Sequence, residues 1–209
     1  MLIKICGLTR QEDVDEAARL GAHFCGFIFH PGSPRSLAAQ QAARLESGCM
    51  RRVGVFVEQG ADEILRVMRE ARLDFAQLHG EQSVACARAV GAERVIRVIW
   101  PARCTGRAQL EAELQRHAES CAWYLLDAGL AGGGSGSRLA WRELGGLGAP
   151  RPWLLAGGLN ADNARRALAL CAPDGLDFNS GIEDAPGRKN SQKMAAAVTA
   201  AAQPRPMGK

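Results

Sequence analysis

Short apolar runs rich in β-branched residues alternate with amphipathic segments along the whole chain. The runs fall at Leu2–Cys6, Phe24–Phe29, Arg52–Val57, Phe75–His79, Arg94–Trp100, Trp123–Asp127, Trp153–Ala156 and Leu176–Asn179. Each is followed by a segment with room for a helix, the pattern of parallel strands joined by crossover helices. Eight similar units without a domain-sized insertion predict an α/β protein. Its fold class is a single (β/α)8 TIM barrel with a parallel eight-stranded core, rather than an open doubly wound sheet.

Several helices are specified locally. Thr9 with Glu12 three residues later reads as a capping box, which starts the first helix just after Cys6-Gly7 and puts Val14, Ala17, Ala18 and Gly21 on one face. Ile64, Leu65, Met68 and Ala71 line one face of the third helix. Asn160 reads as the N-cap of a seventh helix whose Ala164, Ala167, Leu168 and Cys171 face the barrel. Residues 1–202 form one catalytic domain on this reading, and 203–209 (QPRPMGK), with two prolines and no apolar pattern, form a frayed, disordered tail. The longest candidate functional loops are 30–37 and 128–139. The second has five glycines, and its run Gly132–Gly136 suits a flexible hinge as well as a substrate lid.

Composition narrows the function. At 209 residues, 47% hydrophobic and 23% charged, the chain has the make-up of an ordinary globular protein. The net charge of +4 comes from scattered arginines, so there is no basic stripe for nucleic acid, although a small anionic substrate suits the balance. Seven cysteines without a C-x-x-C pair argue against a disulfide framework or a zinc site and for a reducing compartment, the cytoplasm. The N-terminus lacks the pattern of a signal peptide, and no run of about 18 apolar residues implies a membrane span. A monomer and a homodimer both remain open.

In such a barrel the chemistry sits at the C-terminal strand ends. Strand 1 ends in Cys6, strand 4 in Gln77 and His79, strand 6 in Asp127, strand 7 in Gly157-Gly158, and strand 8 in Asn179-Ser180-Gly181. Bare amides at Gly157, Gly158, Ser180 and Gly181 suit a phosphate, although such glycines also serve tight turns. Cys6 is either an inert core thiol or, beside Gly7 and a helix N-terminus, a thiol whose pKa is lowered. Asp127 closes an apolar run, where partial desolvation raises a carboxyl pKa and suits it to donate a proton; a loop-capping aspartate is the plainer alternative. Arg35 is either a surface arginine or a two-pronged clamp for a carboxylate. Lys4 and Asp177, on neighbouring strands, read as a buried ion pair, with substrate contact by Asp177 the further option. His79 is a supporting group rather than a catalyst.

Taken together these residues identify a resemblance. Over nearly its full length the chain resembles the phosphoribosylanthranilate isomerase family. The matching stretches are Lys4-Ile-Cys-Gly-Leu-Thr, Gly26-Phe-Ile-Phe-His-Pro-Gly-Ser-Pro-Arg-Ser, Val53-Gly-Val-Phe-Val, Gln77-Leu-His-Gly-Glu, Leu125-Leu-Asp, Ala156-Gly-Gly-Leu-Asn, and Asp177-Phe-Asn-Ser-Gly-Ile-Glu with Pro186-Gly187. The resemblance implies an Amadori rearrangement of N-(5-phosphoribosyl)anthranilate to 1-(2-carboxyphenylamino)-1-deoxyribulose 5-phosphate in tryptophan biosynthesis. It implies Cys6 as general base, Asp127 as general acid, and Arg35 on the anthranilate carboxylate. Gln77, His79 and Asp177 would contact substrate, and Gly157, Gly158, Ser180 and Gly181 would hold the phosphate. No cofactor and no metal are implied, because the substrate's imine nitrogen is the electron sink.

The chain departs from the family at Ser137-Arg138, where a lysine is common, at His30, where an aromatic is common, and at Asn179, where a small residue is common. Two other readings compete. A histidine-branch phosphosugar isomerase uses two aspartates, against which Cys6 counts; a catalytically silent barrel acting as a binding partner is opposed by Cys6, Asp127 and Arg35 standing together.

Overall fold

The computed structural model describes residues 1–128 and 141–202. The glycine run 132–136, Ser137, Arg138 and the tail 203–209 lie outside the described residues. Eight parallel strands close into a barrel in chain order: β1 (Leu2–Ile5), β2 (Phe24–Ile28), β3 (Arg51–Phe56), β4 (Phe75–Leu78), β5 (Val95–Ile99), β6 (Trp123–Asp127), β7 (Trp153–Ala156) and β8 (Gly175–Phe178). Between and after them lie α1 (Gln11–Arg19), α2 (Ala39–Ala43), α3 (Ala61–Glu70), α4 (Val84–Val90), α5 (Arg107–His117), α6 (Trp141–Leu144), α7 (Ala161–Cys171) and α8 (Ser191–Ala202). A short antiparallel hairpin, β9 (Glu183–Ala185) and β10 (Arg188–Lys189), follows β8. Among the described residues no helix is long and apolar enough to cross a membrane.

Strand alternation sorts the side chains into two cores. Phe24, Val53, Ile96, Val98, Leu125, Leu154 and Ala156 form a cluster inside the barrel, while the opposite parity, with Ile5, Phe27, Phe56, Tyr124, Leu126 and Phe178, packs under the helices. At the strand starts Phe24 meets Phe75 and Trp123 edge to face, each with ring centres 6.0 Å apart. These bulky rings fill one end of the barrel. At the other end the same inward parity carries Cys6, Gln77, His79, Trp100, Asp127 and Asp177.

The expected strands are all present, but Cys6, Phe29, Val57, His79, Trp100 and Asn179 fall just past the strand ends, and Arg94 just before β5. The expected capping box is not formed. Thr9 Oγ1 instead donates to the Gly187 carbonyl at 2.6 Å, and α1 begins at Gln11 with Arg10 at its N-cap making no side-chain cap bond. Val14 and Ala17 are buried on α1 as expected, whereas Ala18 and Gly21 are exposed. On α3 the buried face is Ile64, Val67 and Met68, with Ala71 just beyond and Leu65 half-buried. Asn160 caps α7 as expected, its side chain accepting from the amides of Asp162 and Asn163, and Ala164, Ala167, Leu168 and Cys171 are buried.

Candidate active site

A cavity of about 500 Å³ opens at the C-terminal strand ends, and its wall includes Cys6, Gln77, His79, Asp127, Gly157, Gly158, Asp177 and Ser180. Residues up to 174 positions apart in the chain thus share one mouth, placed there by the closed parallel barrel. Arg35 and Gly181 are not part of this wall.

Cys6 follows β1, its amide donating to the Phe178 carbonyl of β8 at 2.8 Å. The thiol is buried, and burial pushes its pKa above the ordinary value, against the opposing pull of the Lys4 ammonium. The expected lowering is therefore not found in the free protein. The physical reason is plain: α1 starts at Gln11, too far along to lend Cys6 its N-terminal field, and desolvation dominates. Gly26 of β2 leaves room for the sulfur. A Cβ there would lie 2.8 Å from Cys6 Sγ and 3.2 Å from Lys4 Nζ.

Lys4 and Asp177 face each other in register across β1 and β8, and Lys4 Nζ donates to both carboxylate oxygens at 3.0 Å. Burial works to lower the lysine's pKa, but Asp177 and Cys6 outweigh it and raise it, so the ammonium persists beneath the thiol. Burial raises the Asp177 pKa against the pull of Lys4.

Asp127 ends β6 with His79 Nε2 3.6 Å from its Oδ2. Burial, with Lys4 adding to it, pushes the His79 pKa down to about 4, so the imidazole is neutral near pH 7 and this contact is no ion pair. Gln77 Nε2 lies 3.1 Å from His79 Nδ1 and, as a donor, selects the tautomer with its proton on Nε2, facing Asp127. Gln77 Oε1 and His30 Nδ1 are buried without a partner, and both residues line the cavity, so hydrogen-bonding capacity is held in reserve for a ligand.

The loops after β7 and β8 supply bare backbone. Gly157 and Gly158 have φ of +105° and +66°, which favour glycine, and Asn163 Nδ2 donates to the Gly158 carbonyl at 2.9 Å to fix the loop. Gly181 serves differently: a Cβ there would lie 2.1 Å from the Leu159 carbonyl oxygen, so its role in the structure is close approach of the two loops. Asn160 already occupies two of the first amides of α7, which leaves the glycine loop and the 180–182 turn, rather than the helix end, to meet an anion.

Arg35 is held by Glu183, with Nε donating at 2.9 and 3.1 Å and Nη2 at 2.6 Å. Its Nη1 has no partner among the described residues. Trp100 and Arg103, which sequence reasoning did not single out, also line the cavity, with the guanidinium 4.1 Å from the ring centre and His79 edge-on to that ring at 5.5 Å. Their signal was present: Trp100 continues the inward parity of Ile96 and Val98. Among the described residues no group of three or more His, Cys, Asp or Glu is placed to hold a metal ion.

A (β/α)8 barrel with a thiol, a carboxyl and a glycine-rich backbone turn around one mouth defines a barrel enzyme acting on a small ligand. The family described as N-(5'-phosphoribosyl)anthranilate (PRA) isomerase matches residues 3–200. An N-(5'-phosphoribosyl)anthranilate isomerase of Desulfovibrio desulfuricans is 70% identical over 97% of this chain and 96% of its own. The crystal structure of phosphoribosyl anthranilate isomerase from Thermotoga maritima superposes with a TM-score of 0.86 at 30% identity, covering 96% of this chain and 98% of that one. A phosphoribosyl anthranilate isomerase in complex with reduced 1-(O-carboxyphenylamino)-1-deoxyribulose 5-phosphate is similar too, with a TM-score of 0.79, 30% identity and the same coverage. The chain belongs to the PRA isomerase family.

Proposed function

We propose that the protein converts N-(5-phosphoribosyl)anthranilate to 1-(2-carboxyphenylamino)-1-deoxyribulose 5-phosphate. The observation that carries this is the convergence of Cys6, Asp127 and the Gly157, Gly158 and Ser180 amides on one cavity. The phosphate sits against those amides, with Gly181 shaping the turn. The anthranilate carboxylate takes the free Nη1 edge of Arg35, the guanidinium remaining bound to Glu183 along its other edge.

Asp127 donates a proton to the furanose ring oxygen as the C1′–O bond breaks, giving an open-chain Schiff base. Cys6 thiolate then takes the C2′ proton; the C–H electrons form the C1′–C2′ double bond and the nitrogen accepts the displaced pair. The enolamine so formed tautomerises, its C2′ hydroxyl losing its proton to water as C1′ takes a proton from water, which leaves the ketone at C2′. Lys4 is the group that offsets the cost of the buried thiolate, and neutral His79, oriented by Gln77, offers its Nε2–H towards Asp127 once that carboxyl has given up its proton. Asp177 keeps Lys4 charged.

Mixing the protein with phosphoribosylanthranilate and following the loss of anthranilate fluorescence tests the reaction. The wild type is expected to turn over, with Cys6→Ala and Asp127→Asn each lowering kcat by about 10²–10⁴-fold, the usual worth of general acid or base catalysis. No turnover by wild type would overturn the reaction. Near-normal turnover by folded Cys6→Ala would overturn the assignment of the base.

A further inference from the structure

We infer that Glu183 and Lys189, on the hairpin that follows β8, are positioning residues of the active site: Glu183 sets Arg35, Lys189 sets Asn179, and together they hold the backbone on which Cys6 sits. For Arg35 this rests on the carboxylate-binding reading above. For Cys6 it stands on the geometry and charge of the free protein.

Both side chains are almost wholly withdrawn from water, with 0% of Lys189 and 4% of Glu183 exposed, and their ends are joined at 2.7 Å. Glu183 grips the Arg35 guanidinium through three contacts and accepts from the Gly187 amide at 3.2 Å. Lys189 Nζ donates to the Asn179 side-chain oxygen at 2.9 Å and lies 3.2 Å from the Asn179 carbonyl. The two residues so held converge on Gly7, the neighbour of Cys6. A Cβ at Gly7 would be 2.7 Å from Arg35 Cδ and 2.7 Å from Asn179 Oδ1, so these side chains lie directly over its backbone. The hairpin also grips the far end of the same loop, where Gly187 accepts from Thr9 and the Lys189 carbonyl accepts from Arg10 at 3.3 Å.

Desolvating charged groups is costly, and apolar packing of the same volume holds a fold as well, so stability alone gives no reason for a buried Glu183–Lys189 pair with the half-buried Arg35 on it. Its charge gives one. Two cations share a single carboxylate, leaving one net positive charge near the Cys6 thiol, and Lys189 opposes the upward push that burial gives its pKa. The other charged groups facing the thiol, Lys4 and Asp177, form a pair of net zero charge.

The test uses the full chain and its variants Lys189→Met, Lys189→Arg, Glu183→Gln and Arg35→Ala. Iodoacetamide modification of Cys6 is followed against pH by mass spectrometry of the Cys6 peptide, which separates it from the other six cysteines. Lys189→Met is expected to move the midpoint upward by about one pH unit, the scale of losing a nearby charge, and Lys189→Arg to restore it. Glu183→Gln, which removes a negative charge, is expected to move it downward. In steady-state assays Glu183→Gln raises KM about tenfold with a smaller change in kcat, and this increase disappears in the Arg35→Ala background. An unmoved Cys6 midpoint in folded Lys189→Met, or a KM effect of Glu183→Gln that multiplies with that of Arg35→Ala, overturns the inference. The alkylation arm needs no substrate, so opposed midpoint shifts in a protein that does not turn over phosphoribosylanthranilate would sink the proposed reaction while leaving the brace on Cys6 standing.

Discussion

Gly26→Ala adds one methyl group, and the geometry says where it goes. The new carbon would lie 2.8 Å from Cys6 Sγ, 3.1 Å from Cys6 Cα and 3.2 Å from Lys4 Nζ. Ordinary contacts fall at about 3.5–4.0 Å, so the sulfur must retreat by roughly 0.7–1 Å. Rotating the thiol away does not relieve the contact with its own Cα, and Lys4 Nζ is pinned to Asp177 at 3.0 Å on both oxygens. Overpacking of this kind costs about 1–3 kcal/mol, within the roughly 5–15 kcal/mol that ordinary domains possess, so the barrel still folds. Catalysis is more sensitive, since a displacement near 1 Å of a reacting group costs on the order of 10²-fold. The expected result is a kcat lowered about 10–100-fold in the fluorescence assay, with a urea midpoint only modestly reduced. Gly60→Ala is the control, because a Cβ at Gly60 meets nothing within 4 Å and its φ is −81°. A folded Gly26→Ala protein with wild-type kcat would refute the claim that this glycine exists to clear space for the thiol.

Asp177→Asn strands the fully buried Lys4 ammonium with a neutral partner; a loss of about 3 kcal/mol in urea denaturation is expected, and an unchanged midpoint would count against a charged pair. Burial works to raise the Glu183 pKa, but Arg35 and Lys189 outweigh it and hold it low. A depressed acid contributes stability above its unfolded pKa, near 4.3, and loses it as pH falls through the folded value. The stability gap between wild type and Glu183→Gln should therefore narrow in denaturation series run below about pH 4. With His79 held to about 4, direct NMR titration of its ring should show no charge change between pH 5 and 8, and a midpoint near 6.5 would contradict its burial.

Strand parity made most of the fold legible, because it is written in consecutive residues. Trp123, Leu125 and Asp127 alternate with Tyr124 and Leu126, and that alternation alone sends Asp127 inward. The Lys4–Asp177 pair followed from adjacency of the first and last strands in a closed barrel. What escaped was decided by partners remote in the chain. Thr9 has the spacing of a capping residue, yet its hydroxyl is taken by Gly187, 178 positions away. The 183–189 hairpin has no apolar alternation to announce it, since it is built on Glu183 and Lys189 meeting Arg35 and Asn179. Cys6 illustrates the opposite hazard: its place at a strand end was legible, but of its two readings the lowered pKa relied on a helix end that lies several residues further on, and burial, the mark of a core thiol, dominates.

The seam between β1 and β8 has a further consequence for how the molecule comes into being. Lys4 and Asp177 are separated by 173 positions, so a ribosome must add that length of chain after Lys4 before the first strand can find its second neighbour. Contacts of such long range are reached late, after more local units have collapsed. Until β8 arrives, Lys4 has no counterion and Cys6 has no floor beneath its amide. A nascent or truncated chain lacking the final two strand–helix units therefore carries the thiol without the Asp177, Phe178 and Lys189 surroundings that restrain it.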